Sequence, residues 1–127
     1  MSMKTLGLAS AFLVTFLSFS AHAADQSAPV MKKDGMLVDM KGMTVYTFDK
    51  DAANSGKSAC SGGCAANWPA VQPGDAAPSA PYSVITRDDG SKQLAYKGKP
   101  LYTFVKDKKP GDKAGDKAMN AWHVVTD

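Results

Sequence analysis

An all-β domain made of two copies of one β-meander is the fold class this sequence predicts, and three observations predict it. First, one set of landmarks occurs twice in the same order at an offset of 52 to 56 residues, a regularity expected of a repeat architecture. Second, every acidic residue is Asp and none is Glu, beside 11 Gly and 7 Pro; Asp favours turns and Glu favours helices, so the bias points to strands joined by turns. Third, short apolar segments end at Asp-Gly or Lys-Gly pairs, where glycine supplies the positive φ of a tight hairpin.

From Ala28-Pro29 the first copy runs through Lys33-Asp34-Gly35, Lys41-Gly42 and Val45 to Asp51, then Trp68 and Val71. From Ala80-Pro81 the second runs through Asp88-Asp89-Gly90, Lys97-Gly98 and Leu101 to Asp107, then Trp122 and Val125. Each copy reads as strand, turn, strand, turn, strand, long loop, strand with a Trp. Strands are expected near Val30 to Lys32, Met36 to Met40, Met43 to Phe48 and Trp68 to Val71, and again near Ser83 to Arg87, Lys92 to Tyr96, Lys99 to Val105 and Ala121 to Thr126. Repeat one spans about 28–72 and repeat two about 82–127, joined by a Pro- and Gly-rich linker over 73–81. Eight short strands in two meanders suggest a small sandwich or closed barrel with a pseudo-twofold axis.

Register across the Lys-Gly turns divides the faces, since opposed residues share one. Two-residue turns set Met40 opposite Met43, Val38 opposite Val45, Met36 opposite Thr47 and Leu94 opposite Leu101. Val38, Val45, Leu94 and Leu101 then form the core face, with Met36, Met40 and Met43 as adaptable fillers on it. Tyr46, Phe48, Tyr102 and Phe104 share the other face, which either packs under the long loops or meets a partner.

Ahead of this domain lies Lys4, an apolar block from Leu6 to Phe19, and Ser20-Ala21-His22-Ala23, the order of a secretory signal. The block falls short of the roughly 20 residues that span a bilayer. Residues 1–23 are read as the signal peptide and 24–127 as a single exported domain, periplasmic or secreted after cleavage near Ala23. Without a cysteine beside that point, a lipid anchor and a transmembrane segment of the mature protein are not expected. From Ala24 onward 14 basic residues stand against 12 acidic ones, too even a balance to predict nucleic-acid binding or strong membrane attraction.

Tyr46-x-Phe48-x-x-Asp51 and Tyr102-x-Phe104-x-x-Asp107 resemble the tandem Tyr-x-(Phe/Trp/Tyr)-x-x-Asp signature of a family of secreted bacterial repeat lipoproteins, and Cys60-Ser-Gly-Gly-Cys64-Ala-Ala-Asn-Trp68-Pro69 is similar to that family's Cys-x-x-x-Cys…Trp-Pro segment. The resemblance runs from about Val30 to Val125 and implies an envelope location and a β-rich repeat rather than a reaction. This chain departs from the pattern in lacking the acylated cysteine.

Residues matched in both copies are those each copy needs in order to fold; residues present once are freer to serve function. Tyr46, Phe48, Asp51, Tyr102, Phe104, Asp107, Trp68 and Trp122 are therefore read as a structural motif, each Asp accepting N–H bonds in the loop beyond its strand. Cys60 and Cys64 occur once. A disulfide fits an oxidising compartment, and so small a ring stabilises by about 2 kcal/mol. The alternative is a copper site of Cys60, Cys64, Met40, Met43 and His123, since thiolate, thioether and imidazole together suit Cu(I). Lys106, Lys108, Lys109, Lys113 and Lys117 are interleaved with Asp107, Asp112 and Asp116, a pattern typical of a solvated loop; the functional alternative is docking to an acidic partner or anionic lipid, with a field weakened by the mixed signs. No hydrolase, zinc-helix or phosphate-loop motif is present. The expectation is a non-catalytic binding or interaction module without a cofactor, its partner an envelope protein or small ligand met through the aromatic face and the two long loops.

Overall fold

The computed structural model describes residues 28–74 and 78–126; the stretch read as a signal peptide, residues 1–23, and the centre of the linker lie outside them. Among the described residues seven strands form three small antiparallel sheets. Strands β1 (Val30–Lys33) and β2 (Met36–Asp39) make one hairpin across Asp34-Gly35. Strands β4 (Tyr82–Thr86), β5 (Lys92–Tyr96) and β6 (Lys99–Pro100) make the three-stranded sheet of the second repeat. The third sheet pairs β3 (Tyr46–Phe48) with β7 (Trp122–Val124), one strand from each repeat.

That last pairing has a twin. The 69–71 stretch of repeat one lies along 101–103 of repeat two, with an Ala70–Tyr102 bridge, Val71 N–H bonded to Leu101 O at 2.9 Å and Thr103 N–H to Pro69 O at 2.9 Å. Each repeat thus gives its last segment to the other. Where the two exchanges meet, Tyr46 and Tyr102 trade backbone bonds, N–H to O at 2.7 Å in one direction and 3.0 Å in the other. The halves are stitched on a pseudo-twofold axis between these tyrosines. Isolated bridges join the sheets, and the described residues form no closed barrel.

The segments expected as strands at Trp68 to Val71 and Lys99 to Val105 are extended but only partly laddered. Pro69 and Pro100 bring no N–H and so cannot donate to a ladder, though Pro100 still lies opposite Ala95 within β6. A single-turn helix, α1 (Gly63–Asn67), occupies part of the first long loop, and a 3-10 turn over Ala118–Asn120 part of the second.

The two Lys-Gly turns differ by one residue, and the difference changes the core. In repeat two Tyr96 lies opposite Lys99 and Ala95 opposite Pro100, which continues to Leu94 beside Leu101 as the sequence suggests. In repeat one Val38 lies opposite Thr44, not Val45. The Asp39 carboxylate accepts the N–H groups of Lys41 at 2.8 Å and Met43 at 2.9 Å, closing a loop of Met40, Lys41 and Gly42. One extra residue slips the register by one and turns every side chain of β2 over.

Leu37 therefore joins Val45, Leu94 and Leu101 in the first core cluster, with Val71 and Val125 from the exchanged segments. Val38 is buried outside that cluster. The methionines expected as core fillers are displaced: Met40 is 63% exposed, and Met36 and Met43 are half-buried.

Leu37→Ala should cost 2–5 kcal/mol by the usual large-to-small rule, whereas Met40→Ala should stay within about 0.5 kcal/mol. Urea unfolding of the two variants measures both. Similar losses would mean that the two-residue register was correct.

Candidate functional site

The second core cluster holds the residues that the duplicated motif marks. Trp68 and Trp122 stack face to face, ring centroids 3.7 Å apart and planes within 1°. Phe48 caps Trp122 at 4.1 Å and Phe104 caps Trp68 at 4.0 Å, so four rings form one column across the repeats. Tyr46 meets Trp68 edge-on at 5.4 Å and Tyr102 meets Trp122 edge-on at 5.1 Å. Stacked and edge-to-face contacts of this kind add about 0.5–1.5 kcal/mol each beyond burial. Gly115 is required at its place, because a Cβ there would stand 2.5 Å from Trp68. The Trp122 indole N–H is the only buried side-chain nitrogen or oxygen among the described residues without a partner.

The motif tyrosines and aspartates pair across the repeats. Tyr46 donates to Asp107 Oδ2 at 2.7 Å and Tyr102 donates to Asp51 Oδ2 at 2.7 Å. The second oxygen of each carboxylate accepts a loop amide, Ala59 N–H on Asp51 at 2.6 Å and Ala114 N–H on Asp107 at 2.8 Å. The phenols accept as well, Tyr46 from Gly115 N–H at 3.1 Å and Tyr102 from the Ser58 hydroxyl at 2.6 Å. Burial first, then the neighbouring Asp107, raises the Tyr46 phenol far above its ordinary pKa. Burial likewise raises Tyr102, the bond from Ser58 opposing and Asp51 adding to the shift.

Tyr46, Phe48 and Tyr102 are buried and Phe104 is half-buried. The aromatic face expected as a contact surface is therefore closed: the long loops lie over it, and its polar atoms are engaged with one another.

Features present once lie on those loops. The Cys60 and Cys64 sulfurs are 2.05 Å apart, a disulfide ring leading into α1. Beside it Arg87 donates to Ser58 Oγ at 3.1 Å, to Gln93 Oε1 at 2.6 Å and to the Cys60 carbonyl. Buried Gln93 passes the chain on to Leu101 O at 2.7 Å. Ser58, Ser61, Gly62, Arg87 and Asp88 border a cleft of about 160 Å³ over this ring. Lys99 reaches from repeat two to bond the Phe48 and Asp51 carbonyls at 3.1 and 3.0 Å. Sequence reasoning missed Arg87, Gln93, Ser58 and Lys99; their one available signal is that they lack counterparts in the other copy.

The copper alternative needs Cys60 and Cys64 as thiolates, and here they are bridged. Met40 sits on the exposed Asp39–Met43 turn, and His123 Nε2 lies 2.9 Å from Asp49 Oδ2 on the outer face of β7. No three His, Cys, Asp or Glu side chains converge on a metal position among the described residues. Nor is any helix of theirs long and apolar enough to cross a membrane.

A family model described as a secreted repeat of unknown function matches residues 28–72 and again 83–126. The chain belongs to this family. The two matches coincide with the two halves that exchange their last segments, and they agree with the repeat family that the tandem tyrosine–aspartate motifs resemble. No curated protein and no solved structure matches the chain. The family description carries no reaction, so chemistry must be argued from the side chains.

Crosswise pairing has a thermodynamic signature. Combining Tyr46→Phe with Asp107→Asn should reveal coupling of roughly 1 kcal/mol or more, while Tyr46→Phe with Asp51→Asn should be additive within about 0.5 kcal/mol. Chemical denaturation of the two double-mutant cycles decides it, and the reverse ranking would place each tyrosine on its own repeat's aspartate.

The phenols also set an alkaline limit. Their folded pKa lies above the unfolded value near 10.0, so their contribution is complete below that pH and is lost as pH rises through the folded value. Stability should fall progressively above pH 10 in the wild type, and less steeply in Tyr46→Phe and Tyr102→Phe, as read by unfolding curves across that range.

Proposed function

We propose that this protein is an exported, non-catalytic interaction module of the cell envelope, periplasmic or secreted once its leader is removed near Ala23. It meets a partner, an envelope protein or small ligand, through the loops that follow β3 and residue 104. The observation that carries the reading is the crosswise bonding of Tyr46 with Asp107 and Tyr102 with Asp51. A phenol whose O–H is committed to a buried carboxylate, and a carboxylate that also holds a loop amide, have little capacity left for acid–base work on a substrate. The duplicated motif thus serves the fold.

The features without a counterpart then bear the specificity. The disulfide ring, the Arg87 cleft and the lysine-rich segment all stand on loops, where rigid scaffolds commonly carry their binding residues. Bridging Cys60 to Cys64 shortens the free length of the first loop, and Asp51 and Asp107 pin both loops to the core. Such loops lose little further conformational entropy on binding, which favours affinity.

A photo-crosslinking residue placed at exposed Ser61 or Lys109 should give adducts in living cells, whereas one at exposed Ser83 on β4 should give none. Adducts from the strand alone, or from none of the three positions, would remove the loops as contact surface.

A further inference from the structure

The second long loop reads in sequence as a run of mixed sign, yet folding sorts its charges. Asp107 is buried, one oxygen bonded to Tyr46 and the other to Ala114 N–H. Asp112 Oδ2 accepts the amides of Lys108 at 2.8 Å and Lys109 at 3.1 Å, and its carbonyl takes the Thr44 hydroxyl at 2.7 Å. Asp116 Oδ1 accepts Val124 N–H at 3.1 Å. All three carboxylates accept backbone N–H groups, Asp107 the Tyr46 hydroxyl as well. Lys106, Lys108, Lys109, Lys113 and Lys117 are exposed, and among the described residues none of them forms an ion pair.

This loop also holds the net charge. It carries five lysines against three aspartates, while the remainder of the chain from Ala24 has nine residues of each sign. The matching loop of repeat one has only Lys50 and Lys57, so the surplus belongs to one half alone.

An apolar side chain stands at each end of the basic run. Val105 is 40% exposed and Met119 is 78% exposed, the most exposed large hydrophobic side chain described. Lys117, Met119 and Asn120 have φ of 67°, 51° and 57°, a region that costs roughly 1 kcal/mol or more for an L-residue. A backbone held there without burying the methionine points to a use outside the fold.

We propose that the loop from Val105 to Asn120 docks the domain on an anionic phospholipid surface, its lysines against headgroup phosphates and Met119 in the interface. This rests on the reading of the loops as contact surface and names what the second one touches. Lipid is favoured over an acidic protein by the chemistry of the side chains. Ammonium groups on flexible stems, with no arginine among them, suit a diffuse array of phosphates better than the fixed bidentate geometry of a protein site. An uncovered methionine beside them adds the apolar term that charge alone lacks. Carboxylates anchored within the fold keep the loop in shape while its lysines stay exposed and outside ion pairs, Lys108 Nζ reaching only the Val105 carbonyl at 3.3 Å.

The test uses the purified mature chain and sedimentation with vesicles of phosphatidylcholine, alone or mixed with phosphatidylglycerol. Binding is expected only where phosphatidylglycerol is present, and should weaken as salt is added. Combining Lys106→Gln, Lys109→Gln and Lys113→Gln should lower partitioning at least about tenfold. The set Lys32→Gln, Lys33→Gln and Lys57→Gln, which removes equal charge elsewhere, should change it less than about threefold. Met119→Ser should weaken binding further, and unchanged thermal unfolding would show that all variants remain folded. Absence of binding at low salt, or equal weakening by the two triple sets, overturns the proposal. If lipid binding fails while position 109 still crosslinks to an envelope protein, the loop meets protein and the module reading stands; failure of both removes both.

Discussion

Tyr46 donates its phenolic hydrogen bond to Asp107 in the other repeat, and Tyr102 donates its own back to Asp51. Split at the linker, each repeat would retain a phenol and a carboxylate whose partners had left. A buried polar group without its partner costs about 1–3 kcal/mol, more when charged, so neither half can keep its core closed alone. The partners are separated by 61 and 51 residues, and folding must bring in these distant contacts together. The duplication has made one cooperative domain.

The aromatic column follows from the same exchange. Because each repeat sends its last segment across, Trp68 and Trp122 arrive on the axis from opposite directions and meet face to face. The column fills the space between the loops, and the loops supply the amides that Asp51 and Asp107 require. Burying an indole N–H without a partner is one cost of this packing. Ring stacking and apolar burial across the column offset it.

Symmetry leaves the two loops to differ. One is closed by a disulfide and overlooked by Arg87; the other is closed by three aspartates and edged with lysines. Both solutions hold a long segment in place without a strand or a sizeable helix. They leave different surfaces, one small and polar beside a cleft, the other cationic with an exposed methionine. A duplicated core can carry such divergence because each loop, however closed, still supplies the amide that Asp51 or Asp107 requires.

The repeat, the strand-and-turn character and the Leu94–Leu101 pairing were legible in the sequence because each is local, set by hairpin spacing, alternation and glycine at the turns. Even there, one Asp39 carboxylate capturing two amides lengthened a turn and moved Leu37 into the core in place of Val38. Which aspartate each tyrosine bonds was beyond the sequence, since both copies present the same residues in the same order and nothing in that order separates self from partner. Only the tertiary structure decided it: Asp51 sits in the turn after β3, its N–H on the Phe48 carbonyl, and the pairing of the two halves brings Tyr102 to it from the other repeat.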